Sequence, residues 1–140
     1  MKKDTNNKVM AIIYSDTGKF LLLKTNPKMM KVDHWYVVTG GVKEGESFEN
    51  AVRREVEEET QLKIIKIIPT DVVFDYEWPA KSGKIKHEKA FLVKVGHAEP
   101  KITAYEHLAF KWLNKNDFID EIYWYGSSKD NLIKILEKTK

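Results

Sequence analysis

Cysteine is absent from the 140 residues. That absence excludes a disulfide scaffold, a thiolate nucleophile and every Cys-ligated zinc or iron–sulfur site. It leaves carboxylate and His as the strong metal ligands, so any metal is expected to be a hard cation. Neither sign of charge dominates: Lys and Arg number 24 against 21 Asp and Glu, a formal excess of +3, and Lys and Glu alternate instead of separating into a basic block. Nucleic acid is therefore not expected as the primary partner. No stretch is apolar enough for a signal-peptide core or a membrane span, and residues 1–8 are polar, so a soluble cytoplasmic protein with no membrane partner is expected. With only 4 prolines and 7 glycines there is no linker, and no repeat or low-complexity tract divides the chain. One domain spanning residues 1–140 is expected. A chain of this length buries roughly two-thirds of the surface its unfolded form exposes, so it needs no metal or disulfide merely to fold.

Strand-like and helix-like stretches alternate along the chain. Residues 9–14 and 20–24, separated by the turn 15–19, read as a strand pair with a tight connection. After a loop over 25–33, residues 35–38 form a short aromatic and β-branched strand expected to break at Gly40 and Gly41. Ser47 is the expected N-cap of the longest helix, running to about residue 62. Strands are expected over 64–68, 72–76, 86–95 and 109–113, a short helix near 116–121 and a closing helix over 128–138. This mixture suggests an α/β or α+β sandwich.

A helix rich in Glu and Arg is ordinarily a solvated face, but the angular arithmetic here argues otherwise. At about 100° per residue, with Glu55 set at zero, Glu58 falls at about −60° and Glu59 at about +40°, so three carboxylates share one face. Phe48, Ala51, Val52 and Leu62 fall within about 60° of the same direction, the apolar face expected to pack on a sheet. Glu49, Asn50, Arg53, Arg54, Glu57, Thr60 and Gln61 fall on the opposite, solvated face. Clustered carboxylates beside apolar side chains repel one another and lose hydration unless a cation neutralises them. All-oxygen coordination suits Mg²⁺, with Mn²⁺ as the alternative, and such sites are completed by water and substrate phosphates.

The run Gly40-x5-Glu46-x7-Arg54-Glu55-Val56-x-Glu58-Glu59 resembles the Nudix box of the MutT-like hydrolases, G-x5-E-x7-R-E-U-x-E-E-x-G-U, where U is aliphatic. The resemblance implies an α/β/α sandwich with a mixed β-sheet and a loop-helix-loop carrying the site. It implies hydrolysis of a nucleoside diphosphate linked to another moiety, by water attack on a phosphorus of the pyrophosphate. By position in the motif, Glu58 and Glu59 match the main metal ligands, Glu55 a residue that binds metal or helps activate water, Arg54 a residue that orients a neighbouring glutamate, and Glu46 a supporting outer carboxylate. Gly40 and Gly41 match a loop whose backbone approaches metal and phosphate. One position departs: Gln61 stands where the family has Gly, which removes no ligand and costs ~1 kcal/mol if the backbone there is left-handed.

Outside the box, Val38-Thr39-Gly40 and the segment Glu106-His107-Leu108-Ala109-Phe110-Lys111-Trp112-Leu113, followed by Asn131, resemble the bacterial dATP and dihydroneopterin triphosphate pyrophosphohydrolase group. The Glu106 segment also resembles diadenosine tetraphosphate hydrolases. The first resemblance assigns Glu106 to the metal site or to water activation. Lys24, Lys28 and Lys31 are candidates for holding phosphate, and Trp35, Tyr36, Phe74, Tyr76 and Trp78 for stacking a ring, with Thr39 and Gly41 as further substrate contacts. Among His34, His87, His97 and His107 no pair has helical ligand spacing, and His107, beside Glu106, is the best functional candidate. The expected substrate is a small nucleotide or pterin triphosphate, taken by a monomer or homodimer. Dinucleoside polyphosphates and RNA 5′ ends are the alternative substrates. A nucleotide sensor without turnover is the alternative class, for which the loss of Glu46, Glu55, Glu58 or Glu59 would be the sign; none is lost.

Overall fold

A computed structural model describes residues 4–26, 34–102, 107–124 and 128–139. Strand β1 (Asp4–Ser15) sets the architecture, because both of its faces are apolar. Val9, Ala11 and Ile13 enter one core and Met10, Ile12 and Tyr14 the other, all buried. A strand apolar on both faces needs cover on both. Helix α1 (Phe48–Thr60) covers the first with Ala51, Val52 and Val56. Helices α2 (Lys115–Glu121) and α3 (Asp130–Leu136) cover the second with Phe118, Leu132, Ile135 and Leu136. The expected α/β/α layering is therefore present, around a mixed sheet of seven described strands.

The remaining strands are β2 (Phe20–Thr25), β3 (Trp35–Tyr36), β4 (Val38–Lys43), β5 (Ile64–Glu77), β6 (Ile85–Val95) and β7 (His107–Leu113). β1 runs parallel to β6 from Asn7↔His87 to Ser15↔Val95 and antiparallel to β4, while β5 lies antiparallel on β6. β2 carries β3 on one side and β7 on the other.

Three expectations change. The turn at 15–19 closes as anticipated, with the Ser15 N–H donating to Lys19 O at 2.8 Å, but β1 and β2 meet in register only at Tyr14↔Phe20. Their flanks diverge to other partners, which local sequence cannot specify. Gly40 and Gly41 do not break a strand; β4 passes through them, opposite Val9 and Lys8 of β1. The two strands expected over 64–68 and 72–76 are one, β5, with a register shift between Pro69↔Phe91 and Val73↔Lys89. Pro69 has no N–H for a ladder, and the buried Thr70 hydroxyl donates to Ala90 O at 2.7 Å within the irregularity.

The ends of α1 follow from single residues. The Ser47 hydroxyl accepts from the Asn50 N–H at 3.1 Å. Gln61 closes the helix with φ 56° and ψ 21°, its N–H donating to Glu57 O at 3.1 Å. This left-handed conformation is cheap only for glycine. Gln61→Gly is expected to raise the unfolding free energy by about 0.5–1 kcal/mol, measured by urea titration, whereas Gln61→Ala, which keeps the Cβ, is expected to gain nothing.

Candidate active site

The buried residues of α1 are Ala51, Val52, Val56, Glu59 and Thr60. The helix is thus rolled toward Val56 and Thr60 relative to the face expected from the glutamates. Glu55 and Glu59 do point inward, with side chains 13% and 9% exposed, but Glu58 is 55% exposed, which corrects the expectation that all three carboxylates lie on the packing face. Thr60, expected in solvent, is fully buried. Its hydroxyl donates to Val56 O at 2.7 Å and accepts from the Leu62 N–H at 3.2 Å, which lets a polar residue occupy the packing face. The β-branched pair one turn apart takes the sheet side, and Glu58 turns outward.

Arg54, placed in solvent by angle alone, is instead the hub of the site. Its Nε and Nη2 donate to the two oxygens of Glu46 at 2.8 and 3.0 Å, and Nη2 also donates to Gly41 O at 2.9 Å. Nη1 faces Glu58 Oε1 at 3.3 Å and Glu55 Oε1 at 3.4 Å. The Lys43 N–H adds a hydrogen bond to Glu46 Oε1 at 2.9 Å. Arg54 thereby ties the Glu46 carboxylate of the turn to the Gly41 carbonyl of β4.

Gly40 leaves room for its neighbour. A Cβ there would stand 1.9 Å from Glu55 Oε2 and 2.1 Å from its carboxyl carbon, so the missing side chain is the space that the Glu55 carboxylate occupies. Glu59 leaves the helix in another direction, toward His107, whose Nε2 lies 3.5 Å from Glu59 Oε1. His107 is buried, its Nδ1 has no hydrogen-bond partner among the described residues, and burial lowers its pKa. Among the described residues no three His, Asp or Glu side chains converge closely enough to share an ion. The donor set nevertheless suits a hard divalent cation: carboxylates only, no soft ligand, and a glycine cradle that any Cβ would fill.

Glu59, His107 and Thr39 also line a cavity of ≈ 730 Å³, together with Tyr36, Phe74, Tyr76, Trp78 and Trp124. Of the expected substrate contacts, the fold brings Tyr36, Thr39, Phe74, Tyr76 and Trp78 to this cavity. Lys24 and Trp35 are not on its wall; they face each other across β2 and β3, with the Lys24 and Lys111 ammonium groups 5.8 and 4.0 Å from the Trp35 ring centre. Gly41 belongs to the Arg54 hub through its carbonyl. Glu106, Lys28 and Lys31 lie outside the described residues. The sequence reading missed Glu88, a buried carboxylate on the cavity wall. The available signal was parity: on β6 it shares the face of the inward Ala90 and Leu92, where a charge is out of place.

The Arg54 hydrogen bond, aided by the Lys43 N–H and opposed by burial, holds the Glu46 carboxyl at about 2, below its ordinary 4.5. A depressed carboxyl contributes stability that is complete above its unfolded value and is lost as pH falls through the folded one. Glu46→Gln is expected to cost about 1.5–3 kcal/mol at neutral pH. In chemical denaturation at a series of pH values, the gap between wild type and variant is expected to narrow as pH falls from 4.5 toward 2.

Residues 4–134 match the NUDIX domain family. The dihydroneopterin triphosphate diphosphatase of Escherichia coli K12 is 26% identical over 117 residues, covering 76% of each chain. An RNA pyrophosphohydrolase of Pelagibacter ubique is 26% identical, covering 94% of this chain and 99% of its own. The solved structure of the E. coli dihydroneopterin triphosphate pyrophosphohydrolase superposes with a TM-score of 0.71 at 25% identity, over 98% of this chain and 97% of that one. A family match over nearly the whole chain, with Glu46, Glu55 and Glu58 of the motif gathered about Arg54 of α1, makes this chain a member of the Nudix family and a hydrolase of phosphorus-containing acid anhydrides.

Proposed function

We propose that the chain is a Mg²⁺-dependent pyrophosphohydrolase acting on a nucleoside triphosphate or a similar compound of the dATP or dihydroneopterin triphosphate type. The observation that carries this reading is continuity: one aromatic-walled cavity includes Glu59 of the box and Thr39 beside Gly40. A flat ring held between aromatic side chains then presents its phosphates to the carboxylate face of α1. The relative named for dihydroneopterin triphosphate supports the substrate type.

Glu55, Glu58 and Glu59 would hold the metal, with the Gly40 carbonyl and Glu106 completing its protein ligands. The bound metal would clamp phosphate oxygens, offset the charge developing on them and lower the pKa of a coordinated water. The other tasks fall to the chain itself. Arg54 fixes the Glu46 carboxylate and the Gly41 carbonyl, and so the spacing between β4 and α1. Glu55, seated over Gly40, is positioned to bind metal or take the proton of the attacking water. Thr39 and Tyr36 contact the substrate from the cavity wall.

A second reading, an RNA 5′ end as substrate, is favoured by the Pelagibacter relative. A panel of dNTPs, dihydroneopterin triphosphate, diadenosine tetraphosphate and 5′-triphosphorylated RNA, with product identification, separates the two. Glu58→Gln and Glu59→Gln are each expected to lower Mg²⁺-dependent kcat by about 10²-fold or more, and EDTA to abolish turnover. Unchanged turnover in both variants would sink the assignment of the metal site.

A further inference from the structure

Besides Glu59, the cavity wall carries Asp75, exposed and paired with His87, and Glu88, a buried carboxylate that hydrolysis does not use. Glu88 is 6% exposed, and an ionised carboxylate at such a site is costly unless cations or hydrogen-bond donors meet it. The Tyr76 hydroxyl donates to Glu88 Oε1 at 2.7 Å. Lys8, its register partner in the parallel β1–β6 ladder, lies on the same cavity wall. No described residue donates to Oε2. Burial holds the Glu88 pKa above its ordinary value, against the Tyr76 hydrogen bond and the Lys8 charge, which favour the ionised form. Around this group the wall is aromatic. Phe74 and Trp124 meet edge to face with ring centres 5.6 Å apart, and Tyr36 and Trp78 complete the lining.

We infer that Glu88 selects the substrate's ring, its carboxylate accepting hydrogen bonds from the adjacent ring N–H and exocyclic amino group of a 2-amino-4-oxo pyrimidine ring, the edge that guanine and pterin share. The inference rests on the pyrophosphohydrolase reading for the reason a ring enters the cavity. Its chemistry is a matter of donor count. An ionised carboxylate only accepts, and this edge offers two neighbouring donors. Adenine places an acceptor, N1, beside its amino group, so one carboxylate oxygen would face a lone pair. Hypoxanthine keeps the ring N–H but lacks the 2-amino group, leaving one buried acceptor unmatched, which is the situation in which polar sites discriminate strongly. Tyr76 holds one oxygen and fixes the plane of the carboxylate, while the rings of Phe74, Trp78 and Trp124 confine the substrate ring.

The test is steady-state kinetics of the full chain with Mg²⁺ on dGTP, dITP, dATP and dihydroneopterin triphosphate, for wild type and Glu88→Gln. In wild type, kcat/KM for dGTP or dihydroneopterin triphosphate is expected to exceed that for dITP and for dATP by at least about tenfold; comparing the first two tells a purine substrate from a pterin. Glu88→Gln is expected to bring the dGTP to dITP ratio toward unity. A wild-type preference for dATP, equal use of dGTP and dITP, or a ratio unchanged in Glu88→Gln would each overturn the inference. The wild-type comparison decides even where the variant does not fold. Absence of turnover on every compound is a failure of the hydrolase reading instead. Ring selection is then read from tryptophan-fluorescence titration with dGMP, dIMP and dAMP, where tighter binding of dGMP supports the inference and equal affinities overturn it.

Discussion

One guanidinium holds the site together. Arg54 reaches the helix (Glu55, Glu58), the turn before it (Glu46) and the strand before that (Gly41 carbonyl) within a single cluster of contacts of 2.8–3.4 Å. A planar fork of fixed donors suits this task better than a flexible ammonium, because its directions are set in advance. Everything chemical follows from its position. With Arg54 in place, β4 lies close enough to α1 for Gly40 to sit under the Glu55 carboxylate, which a Cβ there would displace. Without it, Glu46, Glu55 and Glu58 would crowd one helix and its approach with only the Lys43 charge beside Glu46. Arg54 offsets only part of that charge, and the rest is the electrostatic reason for a divalent ion in the proposed site.

The scaffold that presents this cluster is built on β1. Because both faces of that strand are apolar, α1 packs on one and α2 and α3 on the other. Because β1 also pairs with β4 and β6 at its two edges, it places Gly40 on one side of itself and Glu88 on the other. Val9↔Gly40 in the β1–β4 ladder and Lys8↔Glu88 in the β1–β6 ladder are adjacent positions of β1, so this strand sets the spacing between the proposed metal site and the proposed ring-binding carboxylate. β5 adds residues 73–76 to the cavity wall, and the segments between elements add His34, Val37, Trp78 and Trp124.

What was legible in the sequence was local. Ser47 as a cap, the span of α1 and the inward Glu55 and Glu59 follow from spacing and residue type, and the left-handed position at Gln61 follows from the resemblance, whose motif has Gly there. The roll of α1 was not legible from charge, because Thr60 hides its hydroxyl on the Val56 carbonyl and so behaves as a β-branched packing residue, pushing Glu58 outward. Gly40 and Gly41 read as a break but lie in a strand, since the demand on Gly40 comes from a side chain fifteen residues away and not from a turn. The partners of β1 depend on pairing between distant segments, which no local pattern encodes. Glu88 became meaningful only once β5 and β1 brought Tyr76 and Lys8 alongside it. Trp35 shows the converse: an aromatic suited by type to stacking a base is instead packed under two lysines.

The central claim is that this helix directs water at the phosphorus of a small triphosphate. Incubating the purified chain with Mg²⁺ and dihydroneopterin triphosphate or dGTP in H₂¹⁸O, with ³¹P NMR and mass spectrometry of the products, tests it most directly. The account predicts a monophosphate and pyrophosphate, with a single ¹⁸O in one of the two. Release of orthophosphate as the first product, or tight binding with no product, would contradict it.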